Sequence, residues 1–199
     1  PGAAPATPSR PFKDVLKDAK AIPGHFTLHQ KDEKVWIEIR AEQFDKPFFF
    51  SYNIPRSIGE RGLYGSQMGG SELVVFKKIG NQVQLIAKNA EFFAKEGTPQ
   101  AQFVSESFSD SLMASAPVAS LPNPETKAVI VEANAMLFAD IPGYLTRLEA
   151  AFRMPFALDT RNTSISRVTN TEHLTGIQVN AHYGVPKLSA PPLTPSPVP

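Results

Sequence analysis

Residues Pro47–Asn89, PFFFSYNIPRSIGERGLYGSQMGGSELVVFKKIGNQVQLIAKN, decide how this chain folds. Phe48, Phe50, Tyr52 and Ile54 alternate with Phe49, Ser51 and Asn53, the period of a strand whose two faces differ. Pro55 ends that strand, since it offers no backbone N–H to a ladder. The stretch Arg56–Ser71 then holds Gly59, Gly62, Gly65, Gly69 and Gly70, five of the chain's twelve glycines. Such a run invites a phosphate cradle. That would need GxxxxGK followed by Ser or Thr, or GxGxxG opening onto a helix. Neither is present. The loop leads instead into ELVVFKKI, a Gly80-Asn81 turn and QVQLIAKN, the pattern of a tight antiparallel hairpin. The stretch therefore reads as an aromatic strand, a loop over residues 56–71 and a hairpin. The aromatic row reads as core, with a carbohydrate platform as the sharper alternative.

Toward the N-terminus, Val35, Ile37 and Ile39 alternate with Trp36, Glu38 and Arg40, a second half-buried strand. It pairs with His25–Gln30 through a polar KDEK turn. Phe12, Val15, Leu16 and Ala19 recur at helical spacing, which predicts an amphipathic helix over Phe12–Ile22, stopped by Pro23-Gly24. Toward the C-terminus, Ala101–Leu121 is ambiguous between helix and strand. KAVIVE, Lys127–Glu132, is an apolar strand, with a helical turn over Ala133–Phe138. YLTRLEAAF, Tyr144–Phe152, is the clearest helix after the first, and Ser164–Thr169 with Thr175–Tyr183 make a closing pair of strands. The expected class is a β-dominated α+β domain with about eight to ten strands and two to four short helices, arranged as an antiparallel β-sandwich or a strongly curved sheet.

Of nineteen prolines, ten fall in the first eleven and last fourteen residues. Residues 1–10 read as a flexible segment and residues 186–199 as a proline-rich linker to a further C-terminal domain. Residues 11–185 form the β-rich domain, with 11–46 either part of it or a short unit of their own. A net charge of +1 gives no reason to expect nucleic acid or an anionic membrane as partner. No apolar run reaches the length of a membrane-spanning helix. The chain has no cysteine, so disulfides and thiolate chemistry are excluded.

Catalytic signatures are sparse. There is no HExxH and no GxSxG. His25 and His29 lie on one face of a strand, about 13 Å apart, too far to share an ion, and are expected to face solvent. His173 and His182 could meet across the closing hairpin, with Glu172 as the nearby carboxylate. Glu60, Glu106, Asp110, Asp140 and Asp159 sit in or near loops and offer carboxylate pairs of the kind a glycosidase uses, at no informative spacing.

Four stretches together carry a family resemblance: PFKDVLKDAKAIPGHFTLHQKDEKVWIEI, FFFSYNIPRSIGERGLYGSQMGGSELVVFKKIGNQVQLIAKN, ESFSDSLMASAPV and TNTEHLTGIQVNAHY. They resemble the N-terminal region of large bacterial zinc-dependent metallopeptidases of the metzincin type, a region made of a short and a longer domain of unknown function. GLYGSQMGGSELVVFKKIGN is the most specific part. The resemblance implies a peptidase domain beyond the proline-rich segment, carrying HExxHxxGxxH and the zinc. It assigns no catalytic, cofactor-binding or metal-binding residue here. It also implies export to the periplasm or the cell exterior after signal-peptide removal. The expected role is a non-catalytic accessory or regulatory domain, a prodomain or scaffold. Its partners are then its own peptidase domain and a peptide substrate. A free-standing peptide- or glycan-binding module and an unrecognised hydrolase are the alternatives. Because loops carry binding more often than core strands, Arg56, Arg61, Tyr64, Gln67 and Met68 are the expected contact side chains. The competing reading is that the glycines only let a long turn close a sandwich.

Overall fold

The computed structural model describes residues 10–186. The expected N-terminal segment, but for Arg10, and the expected linker, but for Pro186, lie outside the described residues. In chain order the elements are α1 Phe12–Val15, β1 Lys20–Ile22, β2 Thr27–Lys31, β3 Lys34–Ile39, β4 Phe48–Ile54, β5 Gln67–Ile79, β6 Gln82–Ala87, α2 Pro99–Ser107, β7 Ser111–Pro117, β8 Val129–Glu132, α3 Ala133–Leu137, α4 Tyr144–Phe152, β9 Ala157–Leu158, β10 Ser164–Asn170, β11 Thr175–Asn180 and β12 Tyr183–Gly184. A single 3-10 turn, Ala41–Gln43, precedes β4.

The strands form two four-stranded sheets, β1-β2-β3-β8 (sheet I) and β4-β5-β6-β7 (sheet II), and two small two-stranded ones, β10-β11 and β12-β9. Every pairing between these strands is antiparallel; the isolated Arg10–Ser120 bridge is parallel. The fold is thus β-dominated α+β. Alternation explains its core. Leu28, Val35, Ile37, Ile39, Val129 and Val131 come from sheet I, and Val74, Phe76, Val83, Leu85, Ala114 and Ala116 from sheet II, into one buried cluster. Each large aliphatic side chain fully buried there is worth about 1.5–3 kcal/mol. Sheets that share a core in this way form a sandwich. At one side the sheets run into each other: Val118, just past β7, bridges Val131 of β8, and the Ala119 N–H donates to the Ile130 carbonyl at 2.8 Å. Met136 of α3 and Ile165, Val168 and Ile177 of the β10–β11 hairpin add to the same core.

The expected helix over residues 12–22 is overturned after one turn. Asp18 adopts φ +64°, the left-handed region that ends a helix, and Lys20–Ile22 then pairs with Leu28–Gln30 as the edge of sheet I. The apolar face survives nonetheless. Phe12 is buried against Trp36, Ala128 and Ile130, with Val15, Leu16 and Ala19 packed around them. The β2–β3 turn is Asp32-Glu33, with Asp32 at φ +52°. The ambiguous Ala101–Leu121 segment divides into α2, with Thr98 capping the Ala101 N–H, and β7.

His29 is a second correction. It is buried rather than solvent-facing, and its Nε2 lies 2.7 Å from Glu38 Oε2 on the outer face of sheet I. Side chains alternate along a strand, but both faces of sheet I are covered, so the face opposite the core is not open to water. His25 precedes β2, is exposed, and sets its ring edge-on to Phe26 with centroids 4.7 Å apart.

Candidate functional site

The candidate loop is shorter than its glycine run suggests. Strand β5 already begins at Gln67, so the expected loop residues Gln67 and Met68 belong to a strand, paired with Ile54 and Asn53 of β4. The reason is Gly69. A β-carbon there would lie 2.1 Å from Cε2 of Tyr52, so only glycine lets β5 run past that ring. The register slips at this point, where Ser51 faces Ser71 but Asn53 faces Met68, giving β5 one extra residue, a bulge. The aromatic row of β4 faces inward: Phe48 and Phe50 pack on the sandwich core and Ile54 on the cluster around α4.

What remains is a loop over residues 55–66. Its neck is closed by the Ser66 N–H donating to the Pro55 carbonyl at 3.2 Å. Its tip is the turn Glu60–Leu63, in which Arg61 and Gly62 have φ of +50° and +79°, and the Leu63 N–H donates to the Glu60 carbonyl at 2.8 Å. Positive φ at both central positions marks a turn of the type I′ hand, where glycine relieves the strain. Leu63 is the anchor, buried against Tyr144 and Leu148 of α4, with Ile54, Ala151, Phe152, Phe156 and Tyr183 around them. Ser57 Oγ donates to the Leu63 carbonyl at 2.8 Å and also bonds the Tyr144 hydroxyl.

This seating sorts the five expected contact residues. Arg61 turns to α4, donating to the Ala151 carbonyl at 3.1 Å with its guanidinium 4.7 Å from the Phe152 ring centroid. Gln67 accepts from Arg147 Nη2 at 2.6 Å. Both serve the loop's attachment. Arg56, Tyr64 and Met68 point outward, Tyr64 57% and Met68 83% exposed, and Ile58 joins them at 52%. The anchors Leu63, Ser57, Tyr144 and Arg147 are not expected from sequence. The signal that could find them is the apolar stripe Tyr144, Leu148, Ala151 and Phe152 on a helix that needs a partner.

Helix α4 is itself pinned by Asp140. Its carboxylate accepts the Tyr144 and Leu145 N–H groups, both at 2.8 Å, and the Tyr183 hydroxyl at 3.1 Å. The first N–H groups of a helix have no internal acceptor, so this carboxylate acts as a cap from outside the helix. Burial pushes the Tyr183 hydroxyl well above its ordinary value, and the Asp140 charge and hydrogen bond push the same way.

The other candidate groups stay apart. His173 lies in the β10–β11 turn and His182 beyond the far end of β11. Six strand residues separate them, about 20 Å, so they do not meet across the hairpin. His182 Nδ1 instead lies 3.5 Å from Asp159, whose carboxyl is held below its ordinary value by Asn162, with the Arg161 N–H and charge acting likewise against desolvation. Glu106 accepts from Gln102 on α2, and Asp110 pairs with Lys88. Among the described residues no three His, Asp or Glu side chains are grouped to hold a metal ion, so they do not fit a zinc site. No described helix is long and apolar enough to cross a membrane.

Residues 9–57 match the family model described as Domain of unknown function (DUF5118). No curated protein and no solved structure matches the chain. The matched residues supply β1, β2 and β3 to sheet I and β4 to the edge of sheet II. The match thus crosses the sandwich core, and its last three residues open the loop.

Proposed function

We propose that this chain is an N-terminal accessory domain of a secreted bacterial zinc metallopeptidase of the metzincin type, acting as prodomain or scaffold and not as the peptidase. The observation that carries the reading is the loop over residues 55–66. It is fastened to α4 through Leu63 and Arg61, yet presents Arg56, Ile58 and Tyr64 outward beside Met68 of β5. A loop held rigid from behind loses little further entropy when it is covered, which suits it to dock against another domain. The resemblance carried by the string GLYGSQMGGSELVVFKKIGN supports the same reading, and the match over residues 9–57 agrees with its domain-of-unknown-function part alone. In it, zinc and the general base belong to the peptidase domain, and the working compartment is the periplasm or the cell exterior.

The test is calorimetric titration of this chain with the separately produced peptidase domain of the same parent protein. Saturable binding is expected, weakened at least about tenfold by Tyr64→Ala combined with Met68→Ser, since exposed aromatic anchors dominate interfaces. No association, or association untouched by the double substitution, overturns this assignment.

A further inference from the structure

We infer that the free edge of β4 is a docking site for an extended peptide strand with acidic residues at both of its ends. Strand β4 is the outermost strand of sheet II. Among the described residues, no backbone group of Phe48–Ile54 bonds to anything but β5, and no side chain bonds to them either. A row of backbone donors and acceptors therefore faces outward, and only another extended chain matches its repeat.

Proteins blunt such edges with charge, proline, bulges or brevity. Phe48–Ile54, FFFSYNI, contains no charged residue, no proline and no glycine over its seven residues. The bulge at Gly69 and Gly70 lies in the neighbouring strand, not in β4. The other edges of the two four-stranded sheets are covered or short. Strand β7 continues into the Val118–Val131 bridge to sheet I, and β1 is three residues long with its Ile22 carbonyl taken by Asn170 Nδ2 at 2.8 Å. Pro47 and Pro55 bracket β4 and limit the template to about seven residues.

Charge selects the occupant. Lys46 and Arg56 stand just outside the two prolines, both exposed, and among the described residues neither has a carboxylate partner. A second copy of this chain pairing antiparallel about Ser51 would set Lys46 opposite Arg56 at both ends, and like charges directly opposite destabilise a pair. A strand flanked by carboxylates meets both cations instead. Its apolar side chains would lie beside Phe49, which is 84% exposed. The inference shares Arg56 with the docking loop but does not rest on the accessory-domain reading; it needs only the edge and its flanks.

The experiment is fluorescence anisotropy of the full chain with a labelled probe of alternating valine and threonine, about seven residues, with two glutamates at each end. Its counterparts carry lysines at the ends, or N-methyl groups at alternate residues in either alternation. The glutamate-flanked probe is expected to bind at least about tenfold tighter than the lysine-flanked one. One of the two N-methylated probes should lose binding, because its edge can no longer donate. The exposed double variant Lys46→Glu with Arg56→Glu, with an unchanged circular dichroism spectrum, should reverse the flank preference. The inference is overturned by absence of binding, by equal binding of both flanks, or by full binding of both N-methylated probes. Self-association of the free chain that the probe disrupts also overturns it, since the occupant would then be a second copy.

Discussion

The two four-stranded sheets are built alike and finished differently. Sheet I is covered on both faces. One side supplies half of the sandwich core, and the other buries Trp36 and Ile130 beneath Phe12 of α1. Sheet II contributes the other half of the core, but its outer face leaves Phe49, Met68 and Leu112 exposed at 84%, 83% and 60%. Those three lie on one face by pairing: Phe49 opposes Leu73, Leu112 opposes Ile86, which opposes Val75, and Met68 opposes Asn53. Both faces of sheet I are spent on stability. Sheet II keeps an edge and much of its outer face free, although Val75 on that face is buried at 7%, and the candidate loop hangs from its edge strand.

The sharpest way to break this contrast is truncation on both outer faces. Trp36→Ala should cost about 3–5 kcal/mol, while Phe49→Ala or Leu112→Ala should change stability by under about 0.5 kcal/mol. Urea unfolding measures both. Comparable losses would mean that the outer face of sheet II is packed. Next in size, Gly69→Ala should cost about 1–3 kcal/mol, because the new methyl group overlaps the Tyr52 ring. Adding Tyr52→Ala in the same chain should recover part of that loss, a coupling that a double-mutant cycle reads.

Asp140→Ala should cost about 1–2 kcal/mol through the lost cap on α4. Because Leu63 rests on that helix, amide exchange should quicken in the loop as well as in α4, while sheet I stays protected. The smallest effect concerns the Lys88–Asp110 pair at the start of β7. Desolvation raises the Asp110 carboxyl, but the hydrogen bond from Lys88, the Asn89 N–H and the charges of Lys88 and Lys77 outweigh it and leave it below 3.8. Its contribution is therefore present above that ordinary value and fades as pH falls through the lowered one. With side chains 42% and 38% exposed, the pair should be worth well under about 1 kcal/mol. Asp110→Asn should flatten the acid limb of the stability profile by that small amount.

Strand period and turn chemistry make much of the fold legible. The Gly80-Asn81 hairpin, the alternation of β3 and β4 and the bounds of α4 come from neighbours in the chain. The helix over residues 12–22 fails because the stripe of Phe12, Val15, Leu16 and Ala19 suits a single helical turn and a tight bend onto Trp36 equally well. His29 is misplaced from sequence because alternation tells which residues share a face, not whether that face is covered. At the site, glycine content marks a loop but not where it ends. The Tyr52 ring that extends β5 across Gly69 lies on a different strand.

The sequence alone therefore determined the local elements: a period-two aromatic strand, a glycine-rich reversal, a tight hairpin and the class they build. Only the tertiary structure decided which exposed-looking groups are free. Arg61 and Gln67 are drawn to α4 while Tyr64 and Met68 are not, one sheet is clad twice and the other once, and β4 is left as an open edge. The physical reason is range. Propensity and periodicity act between residues a few positions apart, whereas burial, ion pairing and edge protection depend on distant partners, 90 positions away for Arg61 on Ala151 and 148 for Asn170 on Ile22.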